Sequence, residues 1–253
     1  YVAPATRAYG AQVVLKISYP DDREFWTGVE ALRVFHGDGI GAIIDVDTAN
    51  AAILIERVTP GVPLSTVHDD EAATMVLARV IKQLWKPLPA EHSFITLPQW
   101  AEAIPRLRQQ YAGASGPLPS YLVDKAEYLF AELIATSDEP VLVHGDLHHD
   151  NVLSSDRAGW LAIDPKGVAA ERSYETAAML RNPYERLSSE INLKSMLHRR
   201  MLILSEELDL DPLRIQQWGI AQTVLSAVWS AEDGGTSWKH ASAVAEVLND
   251  IKI

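Results

Sequence analysis

The sequence predicts an α+β chain in two parts: a small N-terminal antiparallel sheet with one helix, then a larger, mainly helical part. Three observations predict it. Up to about residue 58 the apolar residues fall in short runs bounded by turn residues, which is the mark of strands, with one helical stretch among them. From residue 69 onward they recur mostly at helical spacing. Among those helices, the short apolar runs Leu142-Val143 and Val152-Leu153 bracket a dense polar loop, His144-Gly145-Asp146-Leu147-His148-His149-Asp150-Asn151. A loop held between strands is where a rigid scaffold presents functional groups.

Residues 1–18 read as two strands joined by a turn at Tyr9-Gly10. The second, Val13-Val14-Leu15-Lys16-Ile17, carries a lysine inside an apolar run. Burying that charge alone is costly, so Lys16 either has a partner or lies on an edge strand facing water. Residues 21–36 read as a helix after Pro20, with Phe25, Val29 and Leu32 on its buried face. Glu24 shares the adjoining stripe with Gly28, Leu32 and Phe35, while Glu30 lies on the other flank. Gly37 and Gly39 end the helix. Residues 41–47 and 51–58 read as two more strands, with Thr48-Ala49-Asn50 as their turn and Thr59-Pro60-Gly61 as a break.

Ala73, Val76, Leu77, Val80, Ile81 and Leu84 predict a helix over 69–85. Further helices start near Pro98 and Pro119, with proline in the first turn, and Pro105 should interrupt the earlier one. Trp85, Trp100 and the nearby tyrosines read as core. The remainder reads as helices over 174–180, 190–208, 212–231 and 238–251, punctuated by Asn182-Pro183, Asp211-Pro212 and Gly234-Gly235.

Composition bounds the function. The 253 residues suffice for one large or two modest domains. There is no cysteine, which excludes disulfides and thiolate metal sites and fits a reducing cytoplasm. The formal net charge of −12 argues against a nucleic-acid partner. It suits a cationic substrate drawn into an acidic cleft, and equally suits plain solubility. No apolar run approaches the length of a membrane span.

The spacing inside the polar loop carries the chemistry. Asp146 is followed by four residues and Asn151; thirteen residues further, beyond the apolar run Trp160-Leu161-Ala162-Ile163, comes Asp164. This is the order of a phosphotransferase catalytic loop. The first aspartate accepts the proton of an attacking hydroxyl, and the asparagine and second aspartate offer hard oxygen ligands to magnesium. Ser154 to Gly159 supplies the turn residues that fold Asp164 back beside Asn151. A competing reading is a metal hydrolase built on His144, Asp146, His148 and His149, which leaves Asn151 and Asp164 idle.

On these residues, on Pro165-Lys166-Gly167, on Leu180-Arg181-Asn182-Pro183 and on the stretch 228–234, the chain resembles the aminoglycoside and hydroxyurea antibiotic-resistance kinases. The resemblance implies a protein-kinase-like two-lobe fold, with a nucleotide-binding lobe over 1–58 and a catalytic and substrate-binding lobe over 59–253. It implies ATP between the lobes, held at Glu56-Arg57-Val58, with Lys16 on the phosphates and Mg2+ on Asn151 and Asp164. A helix glutamate should tether Lys16, and helical geometry favours Glu24 over Glu30. Asp146 is the expected base, His144 a brace for the loop, and His148 a contact to the aspartates or the acceptor. Lys166 is placed either to reach a phosphate or to face water.

The acceptor implied is a hydroxyl of a small molecule, with streptomycin the best-known example. Other small alcohols remain open, as does a pseudokinase that binds nucleotide without turnover. Glu232 and Asp233 end a helix, where the dipole disfavours anions. They are expected either to bind substrate cations or to be merely exposed. Glu171 is a further expected substrate contact, although the stretch from Glu171 to Glu175 departs from the family pattern. No glycine-rich phosphate loop precedes Lys16, and the chain begins at Tyr1, so that loop is expected in a preceding segment.

Overall fold

The computed structural model describes residues 1–253. β1 (Val2–Thr6) and β2 (Gln12–Ile17) form an antiparallel hairpin in which Val2 faces Lys16. α1 (Arg23–Phe35) starts at Asp22, whose side chain accepts the Phe25 N–H at 3.0 Å. β3 (Ile43–Asp47) and β4 (Ala52–Glu56) complete a sheet in the order β1-β2-β4-β3. Lys16 therefore sits on an interior strand, between Val2 of β1 and Ile53 of β4, which removes the edge-strand reading.

The chain then leaves this sheet. β5 (Pro60–Pro63), which the sequence reading missed, leads to α2 (Asp70–Leu84), capped by the Asp69 side chain on the Ala72 N–H at 3.1 Å. The two-residue strands β6 (Lys86–Pro87) and β7 (Ile95–Thr96) also lacked a periodic signal. α3 (Leu97–Ala101) and α4 (Ala103–Gln110) are separated at Glu102. Pro105 accounts for the break: its ring would meet the Ala101 carbonyl in a continuous helix, so the interruption falls ahead of it. α5 (Ser120–Ala135) follows Pro119 as expected.

β8 (Val141–Val143), β9 (Val152–Ser155), β10 (Gly159–Ala162) and β11 (Val168–Ala170) surround the polar loop. They form two small sheets, β10-β9-β5 and β6-β8-β11-β7. The expected helix over 174–180 is a 3-10 turn (Arg172–Thr176) followed by α6 (Ala177–Leu180). The expected helix over 190–208 splits into α7 (Tyr184–Ser189), opened by Pro183, and α8 (Leu193–Leu208). α9 (Pro212–Glu232) and α10 (Trp238–Asn249) complete the chain. α9 is buried on nearly every side because α4, α5, α6, α8 and α10 all pack on it, which explains its run of apolar residues without a polar face. No helix is long and apolar enough to cross a membrane.

Two contacts fix the site. The β9–β10 hairpin pairs Val152 with Ala162, and the Ile163 N–H donates to the Asn151 carbonyl at 2.9 Å, so Asp164 emerges beside Asn151. α1 presses on the segment after Asp164. A Cβ at Gly28 would lie 2.4 Å from the Pro165 carbonyl oxygen, and one at Gly167 (φ +70°) would lie 2.4 Å from that of Thr27. Only glycine admits this approach, which the Thr27 hydroxyl seals by donating to the Lys166 carbonyl at 2.6 Å.

Candidate active site

The polar loop is held from beneath. His144 is fully buried, and its ring spans the loop: Nε2 meets the Ile163 carbonyl at 2.8 Å, and Nδ1 accepts the Asp146 N–H at 3.2 Å. An acceptor at Nδ1 puts the proton on Nε2, so the ring is neutral, and burial lowers its pKa to about 4. The His144 ring thus ties the backbone at Asp146 to that at Ile163. Glu175 is a second brace, a role that no local spacing announces. Its buried carboxyl accepts the N–H groups of His144 (2.5 Å) and Gly145 (3.1 Å). Burial pushes that carboxyl up to about 8, against the pull of these N–H groups.

Above the braces, Asp146 Oδ1 accepts from Arg181 Nη2 at 2.8 Å, and Arg181 Nε donates to Gln222 at 2.9 Å. His148 Nε2 stands 3.8 Å from Asp146 Oδ2. Asn151 spends its amide N–H on the Asp146 carbonyl at 2.9 Å, which leaves its carboxamide oxygen for the cleft. Asp164 adopts φ +60°, a conformation that aspartate tolerates, and its carboxylate meets Lys16 Nζ. Lys166 Nζ lies 3.9 Å from the other oxygen. Burial pushes Asp164 up, but the two lysines outweigh it and hold the carboxylate below its usual range.

Two cavities meet at this loop. One, of 490 Å³, lies between the four-stranded sheet and the β9–β10 hairpin. Lys16, Asn151 and Asp164 stand at its polar end, and Val14, Ile53, Ile55, Val58 and Leu153 are among its apolar walls. Glu56 lines it too, but its carboxylate is taken by Arg157 (2.9 and 3.0 Å) and the Ala42 N–H (2.9 Å). The Val58 N–H at this edge finds no acceptor in the protein. The second cavity, of 160 Å³, contains Asp146, Glu24, Lys166, Arg181, Gln222 and the two indoles Trp100 and Trp229. Trp100, read as core, is mostly buried but also walls this space.

Three expectations are corrected. Glu24 does not tether Lys16: it lies 3.9 Å from Lys166, because the glycine contact of α1 with Pro165 places its first turn over Lys166. Burial raises the Glu24 pKa, opposed by Lys166, and Asp22, Asp146 and Asp164 add to the rise. Glu30 is likewise no tether, since it binds Ser93. Glu171 is not a substrate contact: it is buried, accepting from Arg214 (2.8 and 2.9 Å) and from the Trp218 indole. The four-residue metal cluster of the hydrolase reading does not assemble. No three histidine or carboxylate side chains converge, and His149 is buried towards Asp70, Arg186 and Arg200.

Glu232 lines neither cavity, and Arg106 grips both its oxygens at 3.2 and 3.3 Å. Asp233 caps α9 and lines neither cavity. Arg181 and Gln222 were missed by the residue-level reading. Each is one polar residue in a helical stretch, and only the fold brings them to Asp146.

Comparison with known proteins agrees with this geometry. Residues 1–234 match the family model described as aminoglycoside/hydroxyurea antibiotic resistance kinase. A streptomycin 6-kinase of Streptomyces griseus is 30% identical over 98% of this chain and 80% of its own length. A hydroxyurea phosphotransferase of Kitasatospora aureofaciens is 30% identical over 98% of this chain and 71% of its own. Among solved structures, a thermostable mutant of an aminoglycoside phosphotransferase in ternary complex with ADP and hygromycin B superposes with a TM-score of 0.65. It covers 98% of this chain and 92% of its own at 13% identity, a likeness of fold.

Proposed function

Because the chain belongs to the aminoglycoside/hydroxyurea antibiotic resistance kinase family, whose members are ATP-dependent phosphotransferases with small-molecule acceptors, we propose that it phosphorylates a hydroxyl of an aminoglycoside such as streptomycin. The observation that carries the reading is the meeting of two cavities at one loop. The larger ends at Lys16, Asn151 and Asp164, and the smaller ends at Asp146. A phosphate donor in the first and an alcohol in the second would present the γ-phosphoryl group to the hydroxyl across the loop.

In this reading residues 1–58 and 59–253 are the two lobes. The apolar walls and the free Val58 N–H take the adenine, and Lys16 takes the phosphates. Asp146 orients the hydroxyl and accepts its proton, with Arg181 Nη2 holding one carboxylate oxygen at 2.8 Å and so fixing its aim. Asn151 and Asp164 fit Mg2+, since one offers a free carboxamide oxygen and the other an ionised carboxylate. The ion would supply neutralisation of the phosphate charge. Lys166, facing both Asp164 and Glu24, adds a second cation at the same place.

A second reading has its own support. The acceptor cavity is compact, and both carboxylates in its lining already face a cation of the chain, Asp146 with Arg181 and Glu24 with Lys166, which suits a small uncharged acceptor of the hydroxyurea type.

Lys16→Ala tests the nucleotide half of the proposal. Loss of one charge-assisted contact, worth about 1.5–3 kcal/mol, should weaken Mg-ATP binding or turnover roughly ten- to hundredfold. Calorimetric titration of ATP against wild type and variant reads it. Unchanged affinity and unchanged turnover would remove Lys16 from the site.

A further inference from the structure

Arg200 of α8 is one of the largest fully buried side chains in the protein, and it is charged. Each nitrogen of its guanidinium has an acceptor. Nε and Nη2 fork onto separate oxygens of Asp70, in the first turn of α2, at 2.9 and 2.6 Å. Nη1 donates to the carbonyls of Met179 at 2.6 Å and Asn182 at 2.7 Å. Arg186 Nη1 adds a further bond to Asp70 at 3.3 Å, while its Nη2 holds the Ser65 and Val67 carbonyls at 3.0 and 2.6 Å. A buried ion pair often adds no net stability over apolar packing, so the effect of this one is to be sought in the geometry it fixes.

What Arg200 grips is the segment that carries Arg181. Met179 and Asn182 flank Arg181, whose Nη2 holds Asp146 Oδ1 at 2.8 Å and whose Nε donates to Gln222 at 2.9 Å. Arg181 follows directly on α6, a helix of four residues. A single turn does not hold itself in water, and its last carbonyls have no partners further along the helix. Two side chains supply them: the Asn182 amide donates to the Ala178 carbonyl at 2.9 Å, and Arg200 donates to that of Met179. The place of Arg181 is thus set from α8, and through Asp70 from α2, rather than by α6 alone. Neither Arg200 nor Asp70 lines either cavity at the polar loop.

We propose that Arg200 is a positioning residue for phosphoryl transfer: anchored on Asp70, it clamps the carbonyls on either side of Arg181 and so sets where Arg181 holds the Asp146 carboxylate. The inference rests on the proposed function and adds to it a residue that touches no substrate. The contacts are continuous, from Asp70 to Arg200, to the backbone around Arg181, to the Arg181 guanidinium, to Asp146. Lysine does not replace Arg200, because an ammonium keeps the charge and loses the fork, and cannot bond Asp70 and both carbonyls at once. With the clamp loosened, Arg181 no longer fixes the Asp146 carboxylate, and a displacement of about 1 Å at a reacting group costs on the order of 10²-fold in rate.

The test compares wild type with Arg200→Lys, the paired replacement Asp70→Asn/Arg200→Met, Arg181→Met, and the combination Arg181→Met/Arg200→Lys. The paired replacement leaves no buried carboxylate alone and keeps an oxygen for Arg186, so the fold survives if Arg200→Lys unfolds; melting checks both. One readout needs no substrate. The Arg181 Nε–H signal in a proton–nitrogen correlation spectrum, identified by its absence in Arg181→Met, should shift and exchange with water roughly tenfold faster in both Arg200 replacements. The Arg214 Nε–H, bonded to buried Glu171, should stay as it is. The other readout is the single-turnover rate with Mg-ATP and acceptor. Arg200→Lys should slow it roughly ten- to hundredfold with ATP affinity unchanged, and should slow Arg181→Met no further. An unmoved Arg181 signal in folded Arg200 variants, or rate losses that multiply in the combination, would overturn the proposal. A wild type that phosphorylates no acceptor would instead count against the proposed function, while the Arg181 signal still reads the clamp.

Discussion

Asp146→Asn is expected to lower turnover of Mg-ATP with acceptor by about 10²–10⁴-fold, the usual worth of a positioned base, while ATP still binds. The separation follows from the geometry. Asp146 lines the acceptor cavity and not the larger one, whereas Lys16, Asn151 and Asp164 line the larger. The substitution keeps an oxygen for Arg181 Nη2, and the loop is braced through the backbone by His144 and Glu175, so the fold should survive. Single-turnover rates and ATP titration on the same preparation check it. A variant that keeps most of its rate would show that another group takes the hydroxyl proton.

Glu175→Ala should cost roughly 2–6 kcal/mol of stability, because the N–H groups of His144 and Gly145 would both lose their acceptor in a buried place, at about 1–3 kcal/mol each. That is a large share of a typical domain's stability. The carboxyl is pushed up to about 8 by burial, from an ordinary 4.5, which fixes the sign of the pH effect. Between those values the native state holds a proton that the unfolded state releases. The contribution of Glu175 is therefore complete below pH 4.5 and is lost as pH rises towards 8. Urea unfolding from pH 5 to 8 should show this slope in wild type and not in the alanine variant. Glu175→Gln keeps one acceptor oxygen but sets its amide nitrogen against the other backbone N–H, so it should restore only part of the stability while removing the pH slope. A wild-type slope no steeper than that of the alanine and glutamine variants would mean that the carboxyl is ionised across this range.

What could be read in advance was whatever lies close in sequence. Asp146, Asn151 and Asp164 belong to one loop and one hairpin, so their spacing carried their geometry, whereas the charge in the apolar run of Lys16 fitted an edge strand as well as the interior one it occupies. The helices with proline or aspartate at their starts were legible for the same local reason. The partners of Asp146 were not. Arg181 approaches it from the end of α6 and Gln222 from α9; the stretch around Arg181 resembles the family, but nothing local assigns either residue to Asp146. Glu24 was assigned to Lys16 by helical stripe alone, which is blind to the glycine contacts that set how α1 rests on Pro165 and Gly167. Glu171 and Glu175 lie four residues apart and read alike, yet one neutralises Arg214 in the core and the other holds the catalytic loop. Only tertiary packing distinguishes them.

The central claim is that this loop moves the γ-phosphoryl group of ATP to the hydroxyl of a small molecule. The most direct measurement is ADP release from Mg-ATP with streptomycin, taken together with the mass of the recovered acceptor. The account predicts one ADP per acceptor, an acceptor heavier by a single phosphoryl group, and loss of both in Asp146→Asn. ADP release that tracks hydroxyurea or another small alcohol would keep the chemistry and change the acceptor. An acceptor of unchanged mass across the whole panel, with ATP bound and unconsumed, would contradict phosphoryl transfer at Asp146.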